Sequence, residues 1–236
     1  MPLPKIETPT YTLELPSTGE QLEFRPYLVK EEKILMLAQE SKDDKQILNA
    51  MCQVIQNCTF GKIDVKTLTN VDFQYIFLQL RIRSVGESTK FSMECEKTGN
   101  SNTVEVDLRN AYVKQPEKEI DDIVKITDTV GIKLRKGSLL QLANTILVEN
   151  DITDSLDNMI KSVVESIYDE EDLYPIETIS AEDFTEFIDS LTHAQLEHIS
   201  EYIENEPQLL LDVEFVDKES GHVNKRTVKG SDSFFL

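Results

Sequence analysis

Between residues 11 and 25 the chain alternates. YTLEL and QLEFR set an apolar side chain at every second position around Pro16, Ser17, Thr18 and Gly19, which predicts a β-hairpin. The period then lengthens to that of a helix. KEEKILMLAQES places Ile34, Leu35 and Leu37 on an apolar stripe, and DDKQILNAMCQVIQNC does the same with Ile47, Met51, Val54 and Ile55 before Gly61 ends it. Asn70 is placed to cap a third helix, VDFQYIFLQLRIRSVG, whose Phe73, Ile76, Phe77 and Leu80 form a wide buried face closed by Gly86. A phenylalanine stripe of this kind is core.

From 88 to 135 the period returns to two, and TKFSMEC, NTVEVDL, DIVKITD and VGIKLRK predict four short strands in a small antiparallel sheet. Helical spacing resumes with Leu139, Leu142, Ala143 and Ile146, then with Leu156, Met159, Ile160, Val163 and Ile167. Ser180 opens a further helix, and Thr192 opens another with Gln195 three residues on, as a capping box needs. LLLDVEFV, a turn at Gly221 and VNKRTVKG make a last hairpin. Sheet, helices, sheet, helices and hairpin in that order predict an α+β fold rather than a βαβ repeat. The expected regions are 1–87 (hairpin and helices), 88–137 (small β region), 138–206 (acidic helices) and 207–236 (hairpin and tail), gathered into one or two compact units.

Two turns share an outline. ECEKTGNSN (94–102) and DKESGHVNK (217–225) both sit between strand-like runs and resemble metal-binding knuckles. A structural zinc site needs four soft or imidazole ligands, commonly from two C-x-x-C turns on neighbouring hairpins. Here Cys95 is the single thiolate, His222 would add only a second ligand, and no metal or other cofactor is expected. The two hairpins are nevertheless expected to lie side by side.

Charge changes the picture more than composition does. The 236 residues carry a net charge of −20, which disfavours a nucleic-acid backbone as partner. Residues 149–206 hold 18 Asp or Glu against one base, Lys161, and so account for −17 of it. That segment is either a solvated face or a surface that steers a basic protein partner. No apolar run approaches a membrane span and the first residues lack the order of a signal peptide, so a soluble protein made in a cytoplasm is expected, with no membrane partner. Cys52, Cys58 and Cys95 have no disulfide-like spacing, which fits a reducing compartment.

Catalytic chemistry finds no foothold. There is no phosphate loop, His193 and His198 lie five apart on one helix and off a shared face, and the acid run Asp169–Asp172 lacks calcium-loop spacing and reads as a solvated helix end. Among 44 acids, close carboxylate pairs arise by chance. The expectation is a protein without enzymatic activity.

The strings LPSTGEQLEFRPYLVKEEKILMLAQES, NCTFGKIDV and FIDSLTHAQLEHISEYIENEPQLLLDVEFVDKESGHVNKRTVKGSDSFFL resemble the baseplate hub proteins of T4-like contractile-tailed bacteriophages, over nearly the whole chain. The resemblance implies a hub subunit or hub assembly factor. Its partners would be other phage baseplate hub proteins, and its place the virion tail baseplate or the infected bacterial cytoplasm during assembly. Relatives often read C-x-x-C-G at both turns, and here Thr98, Asp217 and Ser220 stand at the other three cysteine positions, which implies a former knuckle whose hairpins persist without the ion. The alternative is a cell-wall hydrolase associated with a hub. Phe234, Phe235 and Leu236 are the candidate partner-binding residues, as an exposed anchor or a packed tail.

Overall fold

The structure, a computed structural model, describes residues 7–138 and 152–230. The helix expected on Leu139, Leu142, Ala143 and Ile146, and the tail residues Phe234, Phe235 and Leu236, lie outside the described residues. Along the described chain run β1 (Tyr11–Glu14), β2 (Gln21–Phe24), α1 (Val29–Ser41), α2 (Asp44–Cys58), α3 (Asn70–Ser84), β3 (Ser88–Glu94), β4 (Ser101–Asp107) and β5 (Tyr112–Lys114). There follow β6 (Ile123–Lys125), β7 (Gly131–Leu134), α4 (Ile152–Val163), β8 (Val164–Tyr168), β9 (Leu173–Pro175), α5 (Ala181–Asp189), α6 (His193–Glu204), β10 (Gln208–Val216) and β11 (Val223–Lys229). Among the described residues all strand pairings are antiparallel, in small sheets, and the fold is α+β.

The described chain forms two compact units. The first takes residues 7–65, 71–114 and 207–230, and the second takes 66–70, 115–138 and 152–206. In the first unit β10 is the middle strand of β11-β10-β5, while β3 and β4 pair only with each other. Strand alternation turns Leu209, Leu211, Val213 and Phe215 of β10 toward Val104 and Val106 of β4 and Leu78 and Ile82 of α3, making one core. α3 is buried on most of its surface, with Phe73, Ile76, Phe77 and Leu80 all enclosed.

Helix α1 departs from the stripe expected of it. Leu37 is 68% exposed and Met36 56%, whereas Glu31 is wholly buried. The cause lies before the helix: Arg25 Nη2 reaches Glu31 Oε1 at 3.0 Å, and Glu31 Oε2 accepts the Leu28 N–H at 2.9 Å. One carboxylate thereby neutralises a half-buried guanidinium and satisfies a free N–H at the helix start, and the helix rotates to keep it inside.

The second unit is built on the sheet β6-β7-β8-β9, whose Ile132, Leu134 and Val164 meet Ile160 of α4, Phe184 and Ile188 of α5 and Ile199 of α6 in one core. The four strands expected between 88 and 135 therefore do not share a sheet, since β3 and β4 belong to the first unit and β6 and β7 to the second. A second correction concerns 164–168, expected to continue a helix with Ile167 on its stripe. Val163 ends α4, and VESIY becomes β8, paired with β7 and β9. Val163 and Ile167 satisfy helical spacing, but β-branched residues favour a pleated surface and the β7 edge supplies the hydrogen bonds. Asp169–Asp172 is accordingly a β-turn with its Asp169 N–H bonded to the Asp172 carbonyl at 3.1 Å, not a helix end. The helix starts follow their local signals. Ser180 Oγ accepts the Asp183 N–H at 3.1 Å, and Gln195 Oε1 accepts the Thr192 N–H at 2.8 Å.

Candidate functional site

Three hairpins of the first unit turn through the same loop. In Leu15–Glu20, Cys95–Asn100 and Asp217–His222 the first N–H donates to the sixth carbonyl, at 2.9, 2.9 and 2.8 Å, and the glycine N–H donates to the first carbonyl, at 2.8, 2.8 and 2.9 Å. The fourth residue, Thr18, Thr98 or Ser220, accepts the sixth residue's N–H on its hydroxyl, at 3.2, 3.3 and 3.3 Å. The fifth position needs glycine, because φ there is +73° at Gly19, +71° at Gly99 and +70° at Gly221, a region that Cβ disfavours.

The second and third of these turns face each other and exchange equivalent bonds. Glu96 N–H donates to Asn224 Oδ1 at 3.0 Å, and Lys218 N–H donates to Asn102 Oδ1 at 3.3 Å. Each asparagine amide also donates to its own turn, Asn102 to the Asn100 carbonyl at 3.1 Å and Asn224 to the His222 carbonyl at 3.2 Å. Each then reaches across to the first residue of the opposite turn, Asn102 to Asp217 Oδ1 at 2.9 Å and Asn224 to Cys95 Sγ at 3.6 Å. Cys95 corresponds to Asp217, Thr98 to Ser220 and Asn102 to Asn224, so the pair has local two-fold character. Neither asparagine was singled out from the sequence. The signal was present, since each lies three residues after its turn glycine.

Asp217 is the electrostatic centre. It is 1% exposed, and its carboxylate accepts from the Ser220 hydroxyl and N–H, from Asn102 and from the Thr98 hydroxyl at 3.3 Å. The Ser220 hydroxyl, followed by Asn102, outweighs the cost of burial and brings the acid down to about 2. Cys95 Sγ is held lower than an ordinary thiol, chiefly by the Thr98 hydroxyl, against the effect of burial. These residues do not fit zinc. Of the four positions only Cys95 and Asp217 carry ligand atoms of the right type, and the Asp217 oxygens are already occupied by donors. Among the described residues no group of three or more His, Cys, Asp or Glu is placed to hold a metal ion.

In the second unit the acids expected to form one face are spread over several elements. Asp169, Glu170, Glu171 and Asp172 make the β8–β9 turn, Glu182, Asp183, Glu186 and Asp189 lie on α5, and Glu197, Glu201 and Glu204 lie on α6. His193 is exposed at the start of α6, while His198 is half-buried with Nε2 3.0 Å from the Asp121 carbonyl. Among the described residues no helix is long and apolar enough to cross a membrane.

The chain matches the family model described as T4 bacteriophage base plate protein over residues 8–236, and it belongs to that family. Membership gives it a structural role in the virion tail baseplate, in contact with other phage baseplate proteins. No curated protein and no solved structure matches it.

Proposed function

We propose that this chain acts in the baseplate hub, as a subunit or as a factor that assembles it, through protein contacts and without enzymatic activity. The family match over residues 8–236 carries the reading. The reactive groups support it. Burial pushes the thiols of Cys52 and Cys58 up to about 11, far from a thiolate nucleophile, and the lowered acid Asp217 is enclosed by its turn donors. Mass spectrometry of purified virions tests the role: a few copies per particle identify a subunit, and absence from mature virions identifies an assembly factor. A clear band on a peptidoglycan zymogram would overturn the non-enzymatic reading.

Phe234, Phe235 and Leu236 belong to this proposal as a partner anchor, since two adjacent aromatic rings can contribute several kcal/mol to an interface. Deleting 234–236 should leave the melting temperature unchanged and abolish binding to the hub partner. A large fall in melting temperature would instead assign the tail to the protein's own core.

A further inference from the structure

The β8–β9 hairpin and α5 leave an open cleft of about 400 Å³ within the second unit, lined by Ile167, Tyr168, Tyr174 and Phe187 together with the acids Asp169 and Asp183. Its aromatic walls are held in place. Tyr168 pairs with Gly131 across the β7–β8 ladder, and a Cβ on that glycine would collide with Tyr168 Oη and Cζ. The ring therefore lies directly over the glycine backbone, a place that any larger residue would take from it. Tyr174 is fixed at its far end, where its hydroxyl donates to Asp169 Oδ2 at 3.0 Å. Asp169 is kept ionised in turn: Oδ1 accepts the Asp172 N–H at 2.8 Å and the Glu171 N–H at 2.9 Å, and these backbone donors lower its pKa.

The charge around the cleft decides what it can take. An aromatic face is electronegative, carboxylates stand beside it, and no lysine or arginine is among the lining residues. Lys161, the one base in 149–206, lies 5.5 Å from the Phe184 ring and lines no part of the cleft. An acidic group would meet repulsion there, and a neutral hydrogen-bond donor would pair with a carboxylate but bring no opposite charge to it. A purely apolar group would bury against the rings but would strip water from the Asp169 and Asp183 carboxylates without bringing a positive charge to them. A guanidinium satisfies both parts, because its plane stacks on an aromatic face while its edge pairs with carboxylates.

We propose that the cleft between the β8–β9 hairpin and α5 is a docking site for a basic side chain, arginine above all, presented by a partner baseplate protein. This rests on the contact-based function given above and narrows it from a charged surface to one pocket. It assigns Tyr168 and Tyr174 as stacking walls and Asp169 and Asp183 as the anionic rim. Most of the remaining acids then steer the approach of the partner without touching the bound residue.

The test uses the full chain with its tyrosine and phenylalanine rings isotopically labelled, titrated with N-acetyl-arginine methylamide and with the norleucine and glutamate analogues. The arginine compound should shift the ring signals of Tyr168, Tyr174 and Phe187, the glutamate compound should leave them in place, and Tyr174→Ala should weaken the arginine response roughly tenfold without changing charge. Tyr174→Phe, which keeps the ring, should retain most of it. Equal shifts from norleucine, or arginine shifts confined to the signals of residues outside the cleft, would overturn the proposal. A second measurement separates it from the broader reading. Assembly of complete baseplates, which a subunit and an assembly factor both support, is compared for Tyr174→Ala and for the α6 reversal Glu197→Lys/Glu201→Lys/Glu204→Lys. Loss with Tyr174→Ala supports the cleft. Loss with the reversal alone or with neither overturns the cleft, and in either case the contact function, which also has the tail anchor, is left standing.

Discussion

Glu31 shows how one side chain can fix a helix. Its burial opposes its charge, yet the Arg25 guanidinium, the Leu28 N–H and Lys30 together hold its carboxyl below the ordinary range. Removing one partner of such a pair leaves a buried charge without compensation, so Glu31→Ala should cost about 3 kcal/mol in urea denaturation at neutral pH, and Glu31→Gln, which can still accept from Leu28, should cost less. A depressed folded-state pKa contributes stability that is present above the unfolded carboxylate range and is lost as pH falls through the folded value. The cost of Glu31→Ala should therefore shrink in acid. Asp217 obeys the same sign, with a folded value of about 2 against an ordinary value of 3.8. Its contribution should persist through mildly acid conditions and disappear between those two values. Asp217→Asn should remove that part of the pH dependence, read as a flatter stability curve on descending from neutral pH.

At the scale of elements, what the sequence disclosed depended on whether the deciding contact was local. The caps at Ser180 and Thr192 and the enclosed face of α3 were legible because spacing within a dozen residues specifies them. β8 was not legible, because Val163 and Ile167 fit both periods and the deciding partner, β7, lies some thirty residues earlier. Burial of Glu31 was hidden for a related reason: a charged residue on a polar-looking face turns inward only when Arg25 is there to meet it. For the candidate site, the repeated turn outline pointed to Cys95, Thr98, Asp217 and Ser220. The asparagines that bind the two turns to each other stand at the same offset from their glycines, but the direction each side chain faces is set by the opposite turn, more than a hundred residues away. The third copy of the turn, at Leu15–Glu20, carries the same Thr-Gly step but has Leu22, a core residue, where the others have asparagine. That difference yields a prediction. Alanine at Gly19, Gly99 or Gly221 should cost about 1 kcal/mol each from backbone strain alone. In double-mutant cycles Gly99→Ala should couple with Gly221→Ala, whose turns share bonds, whereas each should be additive with Gly19→Ala.

For the whole molecule, charge is concentrated in one unit, since residues 149–206 carry −17 of −20. Exposed charges act over about a Debye length, about 8 Å at physiological salt, so association with a basic partner should slow as salt rises, and reversing acids on α5 and α6 should lower the association rate more than it raises dissociation. Stopped-flow binding across a salt series reads both; a rate indifferent to salt would make the acidic surface a solvated one. The division of the chain has a separate consequence, for the order in which the protein can be completed. The first unit is discontinuous: β3, β4 and α3 wait for β10 to supply Leu209, Leu211, Val213 and Phe215, and the turn at 95–100 waits for its counterpart at 217–222. The second unit comes off the ribosome in between. During translation the nascent chain thus holds an open half-core while the second unit is made, and the paired turns come into being only after the last hairpin has emerged. A chain interrupted before residue 207 would display the acidic unit but not the locked turns, so a partner that reads both surfaces would receive only full-length copies.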